Sequence, residues 1–248
     1  MQIVCNDRGG LFGSGFTVKF IWKNIPLFIF YLFLIDLAIP LAYLLNHYVG
    51  EPSYTITNLL DLDGEGNLPS WYSTIQLFLV SLLTGVFAAR NFDRSRMDAW
   101  FLILFPMVFL LLSLDETAQI HESLGKISDV LLPGGSRKGT AFGGTGIWVF
   151  LLGVPFTVGF FFLLYSIRGY FIRVPRALGK FIVGISIFLF GATMLELLSN
   201  ISVGQHDFSS IQIFSEELFE MIGETVMVWA AYDLLVAYGF TLRGPDRT

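Results

Sequence analysis

Residues 99–125 read AWFLILFPMVFLLLSLDETAQIHESLG. Residues 99–112 carry no charge, and a few more positions bring the run to the roughly 20 apolar residues that cross the hydrocarbon core of a bilayer. The run then ends abruptly in Asp115, Glu116, Gln119, His121 and Glu122. Ionisable residues at the end of a lipid-suited segment are costly unless they have partners or a function. The segment therefore reads as a membrane helix carrying one wall of a polar site.

The rest of the chain agrees with the membrane class. It has 248 residues, of which 54% are hydrophobic and only 14% charged, against about a quarter charged in ordinary soluble domains. Mean hydropathy is +0.67. The net charge of -5, with no basic patch, argues against nucleic acid as a partner, because phosphate binding needs clustered Lys and Arg. Cys5 is the one cysteine, so neither an internal disulfide nor a Cys/His zinc motif is expected. The N-terminal MQIVCNDRGGLFGSGF lacks the basic-then-apolar order of a cleaved signal peptide.

Six segments qualify as spans, at about residues 22–48, 71–89, 99–120, 148–167, 178–198 and 211–238. Lipid leaves no partner for loose backbone groups, so each is expected to be helical, with Pro26, Pro40, Pro106 and Pro155 introducing kinks. The expected fold is an all-α integral membrane bundle of six helices forming one domain. Twelve of the 15 Lys and Arg residues lie before the first span, in the second-to-third and fourth-to-fifth connections, or after the last span; only Lys126, Arg137 and Lys138 lie opposite. By the positive-inside rule both termini are cytoplasmic. The glycine-rich LPGGSRKGTAFGGTG falls in an outer connection, and its GGSRKGT lacks the ending and the preceding strand of a phosphate loop.

Polar residues form stripes on the expected helices. At about 100° per residue, Asp115, Gln119 and Glu122 share an arc of roughly 60°. Glu217, Glu220 and Glu224 do the same on the last span, Thr193, Glu196 and Asn200 on the fifth, and Asp36, Tyr43 and His47 on the first. Counted from the outer ends, Asp36, Asp115 and Glu224 lie roughly 15 to 20 Å deep and can share a layer. Glu216 sits in the first turns of the last span, where the helix dipole alone accounts for an acid.

Carboxylates crowded in a low-dielectric site need neutralising charge. Carboxylate with histidine suits iron, manganese or zinc, and helical bundles build such sites from inward-facing Glu and His. The expected ligands are Asp115, Glu122, Glu196, Glu217, Glu220 and Glu224, with His47 and His121 supplying nitrogen. The di-iron Glu-x-x-His spacing is absent. In the first outer connection, DLDGEGNLPSWY places Asp61, Asp63 and Glu65 at positions 1, 3 and 5 of a calcium loop, but Pro69 and Tyr72 break the pattern at positions 9 and 12. Weak calcium binding there is a lesser expectation.

Two stretches, DLDGEGNLPSWYS and LSLDETAQIHE, resemble segments of a widespread group of uncharacterised bacterial multi-helix membrane proteins. The resemblance covers the second and third spans and the loop before them, and it implies a bacterial inner-membrane protein without assigning an activity. The His-x-x-x-His pairing of ceramidase-type and adiponectin-receptor-type membrane hydrolases is missing. The functional expectation is a membrane metalloprotein acting on a lipid or other hydrophobic substrate from an outward-facing site. One alternative is a proton- or cation-coupled transporter using Asp36, Asp115 and Glu224, with Gln119 beside them and Asp233 continuing the route inward. The other is an accessory subunit of a membrane complex.

Overall fold

In the computed structural model the described residues are 25–64, 66–138, 140–143, 146–199 and 206–240. Cys5, Arg8, Lys19, Lys23, Glu65, Asn200, Arg243 and Arg247 lie outside them. The described chain is helical, with no strand among its residues. The helices are α1 (Leu27–Tyr48), α2 (Tyr54–Leu60), α3 (Leu68–Asn91), α4 (Met97–Ala118), α5 (Ile120–Ser128), α6 (Val154–Ser166), α7 (Pro175–Leu189), α8 (Glu196–Ser199) and α9 (His206–Ala237). A π-turn, Val149–Gly153, leads into α6, and a second, Phe190–Leu195, joins α7 to α8.

Five helical segments are long and apolar enough to cross a membrane: Leu27–Tyr48, Leu68–Asn91, Met97–Ala118, Val149–Ser166 and Pro175–Leu195. Their outer faces carry bare apolar side chains such as Leu27, Phe162 and Tyr165, each more than half exposed. Asp36, Gln76, Glu224 and Thr225, by contrast, are fully buried or nearly so. Apolar outside and polar inside is the arrangement lipid selects. The chain is a membrane protein. At 32 residues α9 is the longest helix, but its acids break the apolar run.

α9 is also the hub, packed against α1, α3 and α7. Its approach to α7 is as close as two backbones permit. A Cβ on Gly223 would stand 2.6 Å from the Phe188 nitrogen and 2.7 Å from the Gly184 carbonyl oxygen, and one on Gly184 would meet Gly223 in return. Helices in lipid gain little from burying apolar surface, so contact between small residues is a main source of association. α4 lies antiparallel along α3, joined by the Ser81 hydroxyl donating to the Pro106 carbonyl and the Ser113 hydroxyl donating to that of Thr74. Phe105, Phe109, Phe160 and Phe181 fill the junction of α4, α6 and α7 with ring centroids 5.2 to 6.2 Å apart. α6 sits at the periphery, against α4.

The helix ends differ from the sequence expectation for local reasons. α3 begins at Leu68, not near residue 71, because Asn67 accepts from the Ser70 N–H while Ser70 Oγ accepts from the Asn67 N–H, a reciprocal cap with Pro69 in the first turn. Pro26 precedes α1 and Pro155 sits in the first turn of α6. Pro26 stands at the start of its helix and does not kink it, since a first-turn N–H has no helical partner to lose, whereas Pro155 lies inside the continuous helical segment Val149–Ser166, just after its π-turn. Pro40 and Pro106 are internal. The short α2 was not foreseen; the Asn46 side-chain amide of α1 donates to Thr57 Oγ1 at 3.0 Å and ties it down.

Candidate functional site

The largest departure falls inside the opening stretch. α4 ends at Ala118, and Gln119 adopts a left-handed conformation with φ 52°. The chain then restarts as α5, so Asp115, Gln119 and Glu122 do not form one continuous stripe. Asp115 causes the change of direction. Its Oδ1 accepts from the His121 backbone N–H at 2.7 Å and its Oδ2 lies 2.8 Å from His121 Nδ1. A carboxylate of α4 thereby caps α5, satisfying an N–H that a helix start leaves open.

This elbow opens a cavity of about 440 Å³ between α3, α4, the π-turn before α6, the π-turn after α7, and α9. One wall is acidic, with Asp115 and Glu116 from α4 and Glu216, Glu217 and Glu220 from α9. His121, Lys126 and Arg137 line the same cavity, with His121 against Asp115. Apolar side chains line it as well: Leu77, Leu112, Phe156, Phe188 and Leu189. Trp148 lies against His121, with ring centroids 5.1 Å apart, and a Cβ on Gly125 would stand 3.2 Å from the indole. Arg137 Nε donates to Asp129 Oδ2 at 2.7 Å, anchoring the loop to the end of α5. Gly146, at φ 75°, crosses that ion pair where a Cβ would stand 2.8 Å from Asp129 Oδ1.

A second polar group lies within the bundle, apart from Asp115. The Tyr72 hydroxyl donates to Asp36 Oδ1 at 2.8 Å, and Gln76 Nε2 donates to the same oxygen at 3.1 Å and to Thr225 Oγ1 at 2.6 Å. Ser73 Oγ donates to Glu224 Oε1 at 2.6 Å. Asp36 and Glu224 thus belong to two adjoining buried hydrogen-bond groups. Asp115, assigned to the same layer, belongs to the cavity.

Other expected residues are dispersed. His47 is not a cavity residue; its Nδ1 lies 3.1 Å from Glu51 Oε1 and its Nε2 3.2 Å from Ser210 Oγ. Asp233 pairs with Lys180 across α7 and α9 at 2.5 Å, and the Lys180 ammonium rests 3.3 Å from the Trp229 ring centre. That residue is committed to an ion pair where an ion route was expected. Gln119 is the elbow itself. Glu122 and Glu196 lie on α5 and α8, but their side chains are outside the described set, and the π-turn ahead of Glu196 breaks the spacing that linked it to Thr193. Among the described residues, no three His, Cys, Asp or Glu side chains group as metal ligands. In the calcium-like loop, Asp61 Oδ1 accepts from the Asp63 N–H and Asn67 Nδ2 closes the turn onto the Asp61 and Gly64 carbonyls.

A family model described as a domain of unknown function (DUF8692) matches residues 27–236. The chain belongs to DUF8692. No curated protein and no solved structure matches. The DUF8692 match spans every helix of the cavity and of the buried network. Sequence reasoning missed Glu116, Lys126, Arg137 and Trp148 as members of the DUF8692 cavity. Glu116 stood in the quoted motif beside Asp115, but no spacing rule reaches from α9 to a loop arginine.

Proposed function

We propose that this DUF8692 protein is a bacterial inner-membrane protein with six spans, α9 being the sixth, and with both termini cytoplasmic. Its cavity takes up, from the outer side, the polar head of a lipid or other hydrophobic substrate. The observation that carries this reading is a single cavity lined both by side chains of either charge and by a set of apolar ones. Such a shape matches a molecule that is itself charged at one end and apolar along the rest. Acids together with Lys126 and Arg137 on one lining favour a head that itself carries both signs of charge.

Chemistry on such a substrate falls to His121, whose ring is oriented by Asp115 and lines the cavity beside Glu217 and Glu220. A histidine held by a carboxylate is a competent proton carrier at neutral pH. A transition metal (iron, manganese or zinc) would take ligands from Glu217, Glu220 and the side chains of Glu122 and Glu196, and would polarise a substrate oxygen or activate water. Metal analysis of the purified protein tests that part separately.

The test of the binding reading uses protein purified in mild detergent. Native mass spectrometry of the wild type should show a retained amphiphile, and added zwitterionic lysolipid should raise the unfolding midpoint saturably. Ala192→Phe, which fills the cavity from the π-turn, should abolish both effects. A wild type that carries and answers to no amphiphile, or a variant that behaves like it, overturns the reading.

A further inference from the structure

Three side-chain oxygens in the bundle interior accept no hydrogen bond among the described residues: Asp36 Oδ2, Gln76 Oε1 and Glu224 Oε2. All three residues are 0% exposed. They come from α1, α3 and α9, three helices that meet at this depth. They lie in two adjoining groups: Asp36 is bonded to Gln76 and Gln76 to Thr225, and Glu224, the residue before Thr225, is bonded to Ser73, one turn before Gln76.

Buried acceptors in a native structure are nearly always satisfied, so each orphan calls for an explanation. The orientation of the Gln76 amide sharpens the point. Its NH2 is already given to Asp36 and Thr225, which leaves the carbonyl end as a pure acceptor. Water would supply donors but not charge. Among the described residues neither Asp36 nor Glu224 pairs with Lys, Arg or His; the basic partners in the described ion pairs are taken by Glu51, Asp98, Asp115, Asp129 and Asp233. A positive ion answers both demands. The donor set is entirely oxygen, from carboxylate, amide and hydroxyl groups, which favours hard cations over the softer transition metals.

We propose that Asp36, Gln76 and Glu224, supported by the hydroxyls of Ser73 and Thr225, form a buried site for one hard, oxygen-liganded cation of the alkali or alkaline-earth class. The site lies one turn along α9 from Glu220 of the cavity, uses a different set of donors, and does not depend on a substrate in the cavity. Bound between α1, α3 and α9, the cation ties the first helix to the hub.

The experiment measures thermal unfolding of the full-length protein in detergent. Choline chloride is exchanged for sodium chloride at constant ionic strength, and calcium or magnesium chloride is titrated in parallel arms. A saturable rise in midpoint with sodium alone identifies an alkali site; a rise at far lower concentrations of calcium or magnesium identifies a divalent one. Either supports the proposal, provided that Asp36→Asn and Glu224→Gln raise the half-saturating concentration by roughly tenfold or more while Glu51→Gln, at an exposed acid, does not. If the variants fail to fold, equilibrium binding of radioactive sodium and calcium to the wild type decides, with about one ion per chain expected. No cation-specific shift and no bound ion, or a shift that survives both substitutions, overturns the proposal and leaves the two carboxyl groups neutralised by protons.

Discussion

Asp115 shows how one side chain can redirect a chain. It was legible as a polar-site residue because an acid after sixteen uncharged positions is conspicuous, and it does line the cavity. Its role as a cap was not legible, because the 100° rule places residues only on an unbroken helix and Gln119 is in the left-handed region. Removing the cap should therefore act locally. Asp115→Ala is expected to cost about 1 kcal/mol of stability, the usual price of a lost cap, and to speed hydrogen exchange across residues 119–128. Asp115→Asn should recover part of the loss through its remaining acceptor. Exchange rates unchanged in the alanine variant would show that the elbow is held by other contacts. The neighbours of His47 were illegible for a related reason. Position on a polar stripe says nothing about which neighbour claims each ring nitrogen, and Glu51 and Ser210 claim both.

At the scale of elements, hydropathy located the five helical segments apolar enough to span a membrane, since a run of apolar side chains is a direct signature of a lipid-facing cylinder. The packing between helices was less visible. Glycines such as Gly184 and Gly223 are ordinary in sequence, and only the approach of α7 to α9 reveals that no Cβ fits there. Gly223→Ala should overpack this seam and destabilise the fold by about 2 kcal/mol. Gly159→Ala, on α6 where nothing lies within 4 Å of the added carbon, should be neutral or stabilise by a few tenths up to about 1 kcal/mol, since alanine is the better helix former. Denaturant titration of both variants in the same detergent checks the contrast; equal effects would mean that α7 and α9 adjust freely. The short helices and π-turns escaped the sequence reading because they carry no periodic apolar signal of their own.

The whole molecule has a charged cavity at one end and most of its basic connections at the other. This separation underlies the proposed orientation, which site-directed labelling can check. In a Cys5→Ser background, Lys138→Cys should react with a membrane-impermeant maleimide on intact cells, whereas Arg94→Cys should react only after lysis. The reverse pattern would invert the topology and turn the cavity toward the cytoplasm. The two π-turns that line this cavity face each other, with a Cβ on Gly153 standing 3.5 Å from Thr193 Cγ2. A π-turn holds one residue more than α-helical geometry requires. Loss of a single codon within residues 149–153 or 190–195 would heal the helix, swing everything on one side of the deletion through about 100°, and carry wall residues out of the cavity. Cavity shape in this fold is thus open to change by insertion and deletion, with hydropathy and overall composition left almost untouched.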